Sequence, residues 1–487
     1  MKKRIISITL ILAILIAILP LSACTKTVEN SYKIDVLLNT ETKTITVTQE
    51  TTYYHQSETE TSTVCFNLYQ NTTREDALYT AVPKEMKFSA YPNGNSYGGI
   101  TFTSVTIGEN NANFEVGGTD ENFLIINLET PLKNGDSITI SMVYTVTLAN
   151  INSRLGYGED TINLGNFYPT LAVFEETENG GEFFECVPYS LGDPFYTTPA
   201  TFEVSITLPS EYLVASSGVE TKTQTENSTK TITYKADNIK SFCMVCSEKF
   251  SLQTQIKNGI EIKYYSLADE SPTTTTAMIA KALDLYEASF GSYQYDTFTV
   301  TDANFFQGGM EYSALVMVST SVDEDFRKIV IAHETAHQWW QTMVGTNEIE
   351  YSIFDEGLTE FSTALFFETY PEYGISSEEM ITAKEETYAT YLEILNVLEE
   401  KTPPTPTQSL ASYRSSYDYY ALVYVRGHLI FEEMADMIGQ DEFISFLKAF
   451  KTKYNMQNVD IEDFLTFAEE KLGTETAEKM RIMFYPD

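Results

Sequence analysis

Beyond residue 23 the sequence has no unbroken apolar run near the ~18 residues that cross a bilayer as a helix, so no later spanning helix is expected. Cysteine is scarce. The five, Cys24, Cys65, Cys186, Cys243 and Cys246, are too few and too scattered in 487 residues to form a disulfide framework. Cys243 and Cys246 lie in "SFCMVCSEKFSL", a strand-like run. Residues three apart on a strand face opposite sides, so the pair is badly placed for one metal and a structural role is expected. Positive charge is also short: 31 Lys and Arg stand against 69 Asp and Glu, for a net charge of −38. So acidic a chain repels nucleic acid and anionic headgroups, which removes nucleic-acid partners. A solvated, solubilising surface accounts for most of this charge. Acid near a binding site would favour cationic ligands, such as peptides with a free ammonium. Histidine is rarer than cysteine, with four residues, yet two of the four fall together in "VIAHETAHQWWQTMVG".

The N-terminus reads "MKKRIISITLILAILIAILPLSACTK". Three basic residues precede an apolar run from Ile5 to Leu19 broken only by Ser7 and Thr9, the layout of a secretory signal peptide over residues 1–23. The "LSAC" that ends it resembles a bacterial lipobox. That resemblance implies lipidation at Cys24, a lipid-anchored linker over residues 24–30, and an extracytoplasmic protein held on the cell membrane. Two acyl chains anchor stably where one gives only marginal binding. Removal of Lys2, Lys3 and Arg4 takes the mature charge to −41.

Residues 31–255 read as a β-rich, antiparallel domain. "TKTITVTQETTYY", "DSITISMVYTVTL" and "ATFEVSITLP" alternate apolar and polar residues, and turn signals such as "LKNGDS" and "SLGDPF" separate such runs. Residues 256–487 read as α-rich with a small sheet at the start. "SPTTTTAMIAKALDLYEASFG" carries helix punctuation at both ends, short strands follow at "TFTV" and "ALVMV", and helices dominate after residue 321. The fold class is therefore α+β and multidomain.

On the helix carrying "HETAH", Ser321 and Glu324 match a capping box and Gly345 supplies a stop. His333 and His337 stand one turn apart on one face, with Glu334 beside the first. Zinc needs this arrangement: two imidazole nitrogens on one side and a carboxylate near a water. A third ligand is required. Asp355, Glu356 and Glu360 in "YSIFDEGLTEFSTALFFE" all have workable spacing. Glu360 could equally orient a ligand histidine or be a solvated helix carboxylate.

The order of motifs resembles the gluzincin zinc aminopeptidases, the family of aminopeptidase N and leukotriene hydrolase. HExxH followed by 18 residues and Glu matches that family's zinc helices and implies zinc on His333, His337 and Glu356 with Glu334 as general base. "FQGGMEYSALV" resembles the family's Gly-x-Met-Glu-Asn segment. It implies that Glu311 holds the substrate's α-ammonium and that Gly308, Gly309 and Met310 line the peptide. Tyr312 stands where the common motif has Asn. "LVYVRGHLIFEEM" resembles the segment whose tyrosine donates to the oxyanion, here Tyr424; Tyr419 matches a second family tyrosine. His428 is expected to be structural. The resemblance implies a saddle-like N-terminal β-domain and a thermolysin-like catalytic domain, with one zinc ion and peptide substrates. The chain runs only about 60 residues past Tyr424. The resemblance therefore implies a short member without the large C-terminal helical domain, and a cleft that is open or is closed by a partner or a homodimer mate. The expected activity is that of an aminopeptidase. An open-cleft endopeptidase, another zinc hydrolase, and an inactive peptide-binding lipoprotein fit the same residues.

Overall fold

The computed structural model describes residues 29–177, 180–398 and 404–486. The expected signal peptide, the lipidation candidate Cys24 and the linker up to residue 28 lie outside these residues. Among the described residues no helix is long and apolar enough to cross a membrane.

The first half is built on an eight-stranded sheet in the spatial order Val219–Glu226, Thr229–Ile239, Ala200–Pro209, Asn30–Asn39, Thr44–Tyr54, Ser137–Thr147, Gly99–Ile107, Asn110–Asn111. In Asn30–Asn39 and Ala200–Pro209 every second side chain is buried, as alternation in the sequence requires for a sheet with one dry face. Ile34, Val36, Val47, Tyr144, Val204 and Ile206 form that face. Two four-stranded sheets cover it and add Val64, Phe66, Leu124 and Met244 to the same core. Pairing in the large sheet is antiparallel with one exception: Asn30–Asn39 runs parallel to Ala200–Pro209, with Ile34 opposite Val204. The long stretch of chain between them makes this possible, since a parallel pair needs a crossover that no hairpin supplies.

The four described cysteines are free and buried. Cys246 packs into the β-core and Cys243 into a separate cluster, so the two face apart. Burial pushes the thiols of Cys65, Cys186 and Cys246 up to about 12.

The second half opens with a five-stranded sheet ordered Ser251–Lys257, Ile260–Ser266, Thr297–Ala303, Leu315–Ser319, Gly309–Tyr312. Its last member is an edge strand. Helices follow: α1 (Pro272–Phe290) and α2 (Glu324–Ala336) pack on this sheet, α3 (Glu348–Thr369) packs on α2, and α4 (Ser377–Val397) and α5 (Gly427–Ile438) pack on α3. Ser271 and Gly291 bound α1, as the sequence punctuation indicates. At the start of α2 the structure departs from the sequence reading. Asp323, not Ser321, is the cap, and its carboxylate accepts from the Phe326 N–H at 2.9 Å. A carboxylate there also meets the positive end of the helix dipole, which a hydroxyl cannot do. Ser321 instead donates its N–H to Ser319 Oγ at 3.1 Å.

After Ala336 the helical path widens into a π-helical turn, Gln338–Met343. Trp339 and Trp340 on this turn are fully buried. Their indole N–H groups donate to Gly291 O at 2.7 Å and Ser362 Oγ at 2.9 Å. Large buried aromatics of this kind typically cost about 3–5 kcal/mol on truncation to Ala. They fix the end of α2 against α1 and α3. From Ser352 to Phe367 every residue of α3 except Glu360 is buried, as expected of a helix at the centre of a domain.

Candidate active site

Four pieces of chain converge on one cleft. α2 contributes His333, Glu334 and His337; α3 contributes Glu356 and Glu360; a second π-helical turn, Tyr420–Arg426, contributes Tyr424; the edge strand Gly309–Tyr312 contributes Glu311. Both π-helical turns adjoin the site, where such turns are often found. Glycines allow the close approach of α3 and α5: a Cβ on Gly427 would lie 3.2 Å from Gly357 Cα. Gln338 ties the edge hairpin to the end of α2 by accepting from Ala314 N at 2.9 Å and donating to Tyr312 O at 3.2 Å.

The donor atoms crowd together. His333 Nε2 and His337 Nε2 are 3.1 Å apart, and Glu356 Oε2 lies 3.2 and 3.4 Å from them. Ligands about 2.0–2.1 Å from one tetrahedral ion stand roughly 3.3 Å from each other, so this donor set fits zinc. Of the three third-ligand candidates, Glu356 has this position. The Asp355 carboxylate accepts the Glu356 N–H at 2.8 Å instead. Glu360 Oε1 stands 3.6 Å from His333 Nδ1, and Thr359 Oγ1 is 3.1 Å from His337 Nδ1. The outer nitrogen of each imidazole therefore has a polar neighbour, the arrangement that sets ring orientation in metal sites.

Glu334 lies against the edge strand, where a Cβ at Gly309 would collide with its carboxylate. Glu334 Oε2 and Glu311 Oε1 are buried and have no hydrogen-bond partner among the described residues. The Tyr424 hydroxyl donates to Glu356 Oε1. Tyr419 stands behind the cleft wall: its ring packs edge-on to Tyr424 and its hydroxyl would lie 2.7 Å from a Cβ on Gly192. Tyr312 also points elsewhere, donating to Asn166 Oδ1 of the β-domain at 2.7 Å, which gives this position a role across the domain seam. His428 is buried, with Nε2 2.9 Å from Glu432 Oε1, outside the donor cluster.

The charges are strongly coupled. Burial opposes ionisation of Glu356, but His337 and His333 outweigh it and hold the carboxyl well below the usual range. Burial, with Glu356 and Asp193 nearby, pushes Glu334 up to about 8 against the pull of His333 and Arg154. Burial and the surrounding carboxylates also raise Glu311 well above its ordinary value. Burial also opposes ionisation of Glu360, yet Lys384, His333 and His428 keep it below its ordinary value.

Three residues of the cleft escaped the sequence reading. Arg154 and Asp193 reach in from the β-domain as a largely buried ion pair. The Arg154 guanidinium also donates to Met310 Sδ at 3.0 Å and lies over the Phe195 ring. Asp193 belongs to "SLGDPF", whose Gly, Asp and Pro signal only a turn. Lys384 enters from α4 and pairs with Glu360. Nothing in its helical surroundings marks it.

Residues 273–483 match the model of the peptidase family M1 domain. That matched stretch holds His333, Glu334, His337, Glu356, Glu311 and Tyr424. Among curated proteins, mouse aminopeptidase B is 27% identical over 204 residues, covering 39% of this chain and 30% of its own length. Rice aminopeptidase M1-B is 22% identical over 297 residues, covering 56% and 33%. The chain thus spans about a third of the length of these relatives. Among solved structures, a variant of the M1 zinc metallopeptidase from Deinococcus radiodurans superimposes with a TM-score of 0.66 at 16% identity, covering 94% of both chains. The same enzyme with a Tyr-Ser-Ala substrate gives a TM-score of 0.65, covering 94% of this chain and 93% of that one. The likeness establishes the architecture: a sheet-rich N-terminal domain followed by a helical domain.

Proposed function

We propose that the protein is a zinc-dependent metallopeptidase that removes single residues from the free N-terminus of peptides. One observation carries this reading. A three-donor cluster at 3.1–3.4 Å lies beside a sheet edge that holds a buried carboxylate, Glu311, whose Oε1 has no partner among the described residues. When bound by His333, His337 and Glu356, zinc would acidify a water and polarise the peptide carbonyl.

The chain's own residues supply the rest. Glu311 accepts the α-ammonium, and the edge strand offers its backbone groups to the peptide. From Glu311 the strand leads back to Gly308, where a Cβ would meet Val330 and Phe326, so residues after the cleaved bond run along that apolar wall. Glu334 takes the proton of the attacking water and returns it to the leaving amine. The Tyr424 hydroxyl donates to the oxyanion. Tyr424→Phe is expected to lower kcat about 10²–10³-fold with little change in KM. Steady-state kinetics checks this; a change confined to KM would reduce Tyr424 to a wall of the pocket.

The decisive test uses the chain from residue 25 onward, loaded with zinc, on one peptide library in free and N-acetylated form, with Glu334→Gln as blank. Loss of single N-terminal residues from the free peptides alone supports the proposal. Internal cuts in both libraries would replace it with an endopeptidase. Bound zinc without any cleavage would leave a peptide-binding protein. The same reading holds the enzyme outside the cell membrane by a lipid on Cys24. Cys24→Ala is expected to abolish incorporation of labelled fatty acid and release the protein to the soluble fraction; unchanged labelling would remove the anchor.

A further inference from the structure

Helix α4 is peripheral. Only Tyr391 and Leu395 along it are fully buried. Lys384 nevertheless points inward, with its side chain 12% exposed in the cleft wall. Its ammonium pairs with Glu360 Oε2 and donates to the backbone oxygen of Tyr424 at 3.3 Å. The other oxygen of Glu360 is 3.6 Å from His333 Nδ1. One cation from a surface helix therefore touches the carboxylate behind a metal ligand and the backbone of the oxyanion tyrosine.

We propose that Lys384 is a positioning residue for His333 and Tyr424, an inference that rests on the zinc peptidase reading. A histidine that binds metal through Nε2 is oriented, and made a better donor, by a carboxylate facing Nδ1. That carboxylate must stay in place. Glu360 is largely buried, and its 3.6 Å contact with His333 is too long for a direct hydrogen bond to hold it there. The ion pair with Lys384 is what fixes Glu360 behind the ring. The second contact, to Tyr424 O, couples the turn carrying the hydroxyl to the same ammonium.

The test uses the chain from residue 25 with Lys384→Met, Lys384→Arg, Glu360→Gln and the Met/Gln double variant. Apparent zinc affinity is read by chelator competition, and kcat and KM are measured separately. Lys384→Met and Glu360→Gln are each expected to weaken zinc binding about 10–100-fold. The double variant should be no worse than the weaker single one, because both break the same link. Lys384→Met should also lower kcat more than it raises KM, and Lys384→Arg should recover most of the zinc affinity. Zinc affinity of Lys384→Met within about twofold of the unmodified chain, or additive losses in the double variant, would overturn the proposal. A lowered Tm with unchanged zinc affinity would make Lys384 a packing residue only. Should Lys384→Met fail to fold, the Arg and Gln variants decide by the same zinc measurement. An unmodified chain that binds no zinc would sink the peptidase reading and this inference together. Zinc binding and cleavage that ignore Lys384 would sink this inference alone.

Discussion

Glu334→Gln is expected to lower turnover about 10²–10⁴-fold while zinc content stays complete. The substitution keeps shape and volume in a place that tolerates little change: Glu334 is 5% exposed and packs on Gly309 with no room for even a Cβ there. The donors His333, His337 and Glu356 are untouched. What disappears is a carboxylate beside the cluster that can take a proton and give it back. Metal analysis and kinetics on the same preparation separate the two roles. A near-wild-type rate would remove Glu334 from the chemistry, and lost zinc would show that its contribution is to the site's architecture.

The second large effect concerns selectivity. Glu311→Gln should lower kcat/KM on free peptides by the roughly 2–5 kcal/mol that deletion of one partner of a buried charge pair costs, a factor of about 30 to several thousand. Cleavage of N-acetylated peptides, which offer no ammonium, should hardly change. The preference for free termini would then collapse from one side only. The structural basis is the isolation of this carboxylate: it is 4% exposed, and its Oε1 has no partner among the described residues. Burial and the neighbouring Asp193, Glu334 and Glu356 oppose its ionisation, and an arriving ammonium would relieve that opposition. Persistence of the preference in the Gln variant would assign terminus recognition to another group, with Asp193 the first to examine.

How much of this was legible depended on distance along the chain. The spacing of four residues between His333 and His337 already puts both on one helical face. Glu356 follows within the next helix, so its approach needs only one turn of chain. The strands of the β-domain announce themselves by local alternation. Arg154 and Asp193 lie more than 100 residues before the cluster, in loops whose path is set by the seam between domains. Lys384 is the single lysine of a helix whose glutamates face solvent, and only tertiary packing singles it out. Tyr312 is similar: its departure from the common motif makes sense once Asn166 is seen to accept its hydroxyl. The cap of α2 was misread for a local reason. Ser321 and Asp323 both suit a helix start, and the stronger, charged acceptor took the position.

The buried thiols have a practical consequence. In the chain from residue 25, Cys65, Cys186, Cys243 and Cys246 are all shielded while the fold is intact, and their burial suppresses the thiolate an alkylating reagent needs. Modification by such a reagent can therefore proceed only through opening of the surrounding structure. Cys65 sits in the β-core, whereas Cys186 and Cys243 sit in a cluster shared with residues of the catalytic half, such as Met310 and Leu422. Mass-resolved labelling at these positions is thus a built-in clock that times breathing of the β-core and separation of the two halves independently, with no engineered probe.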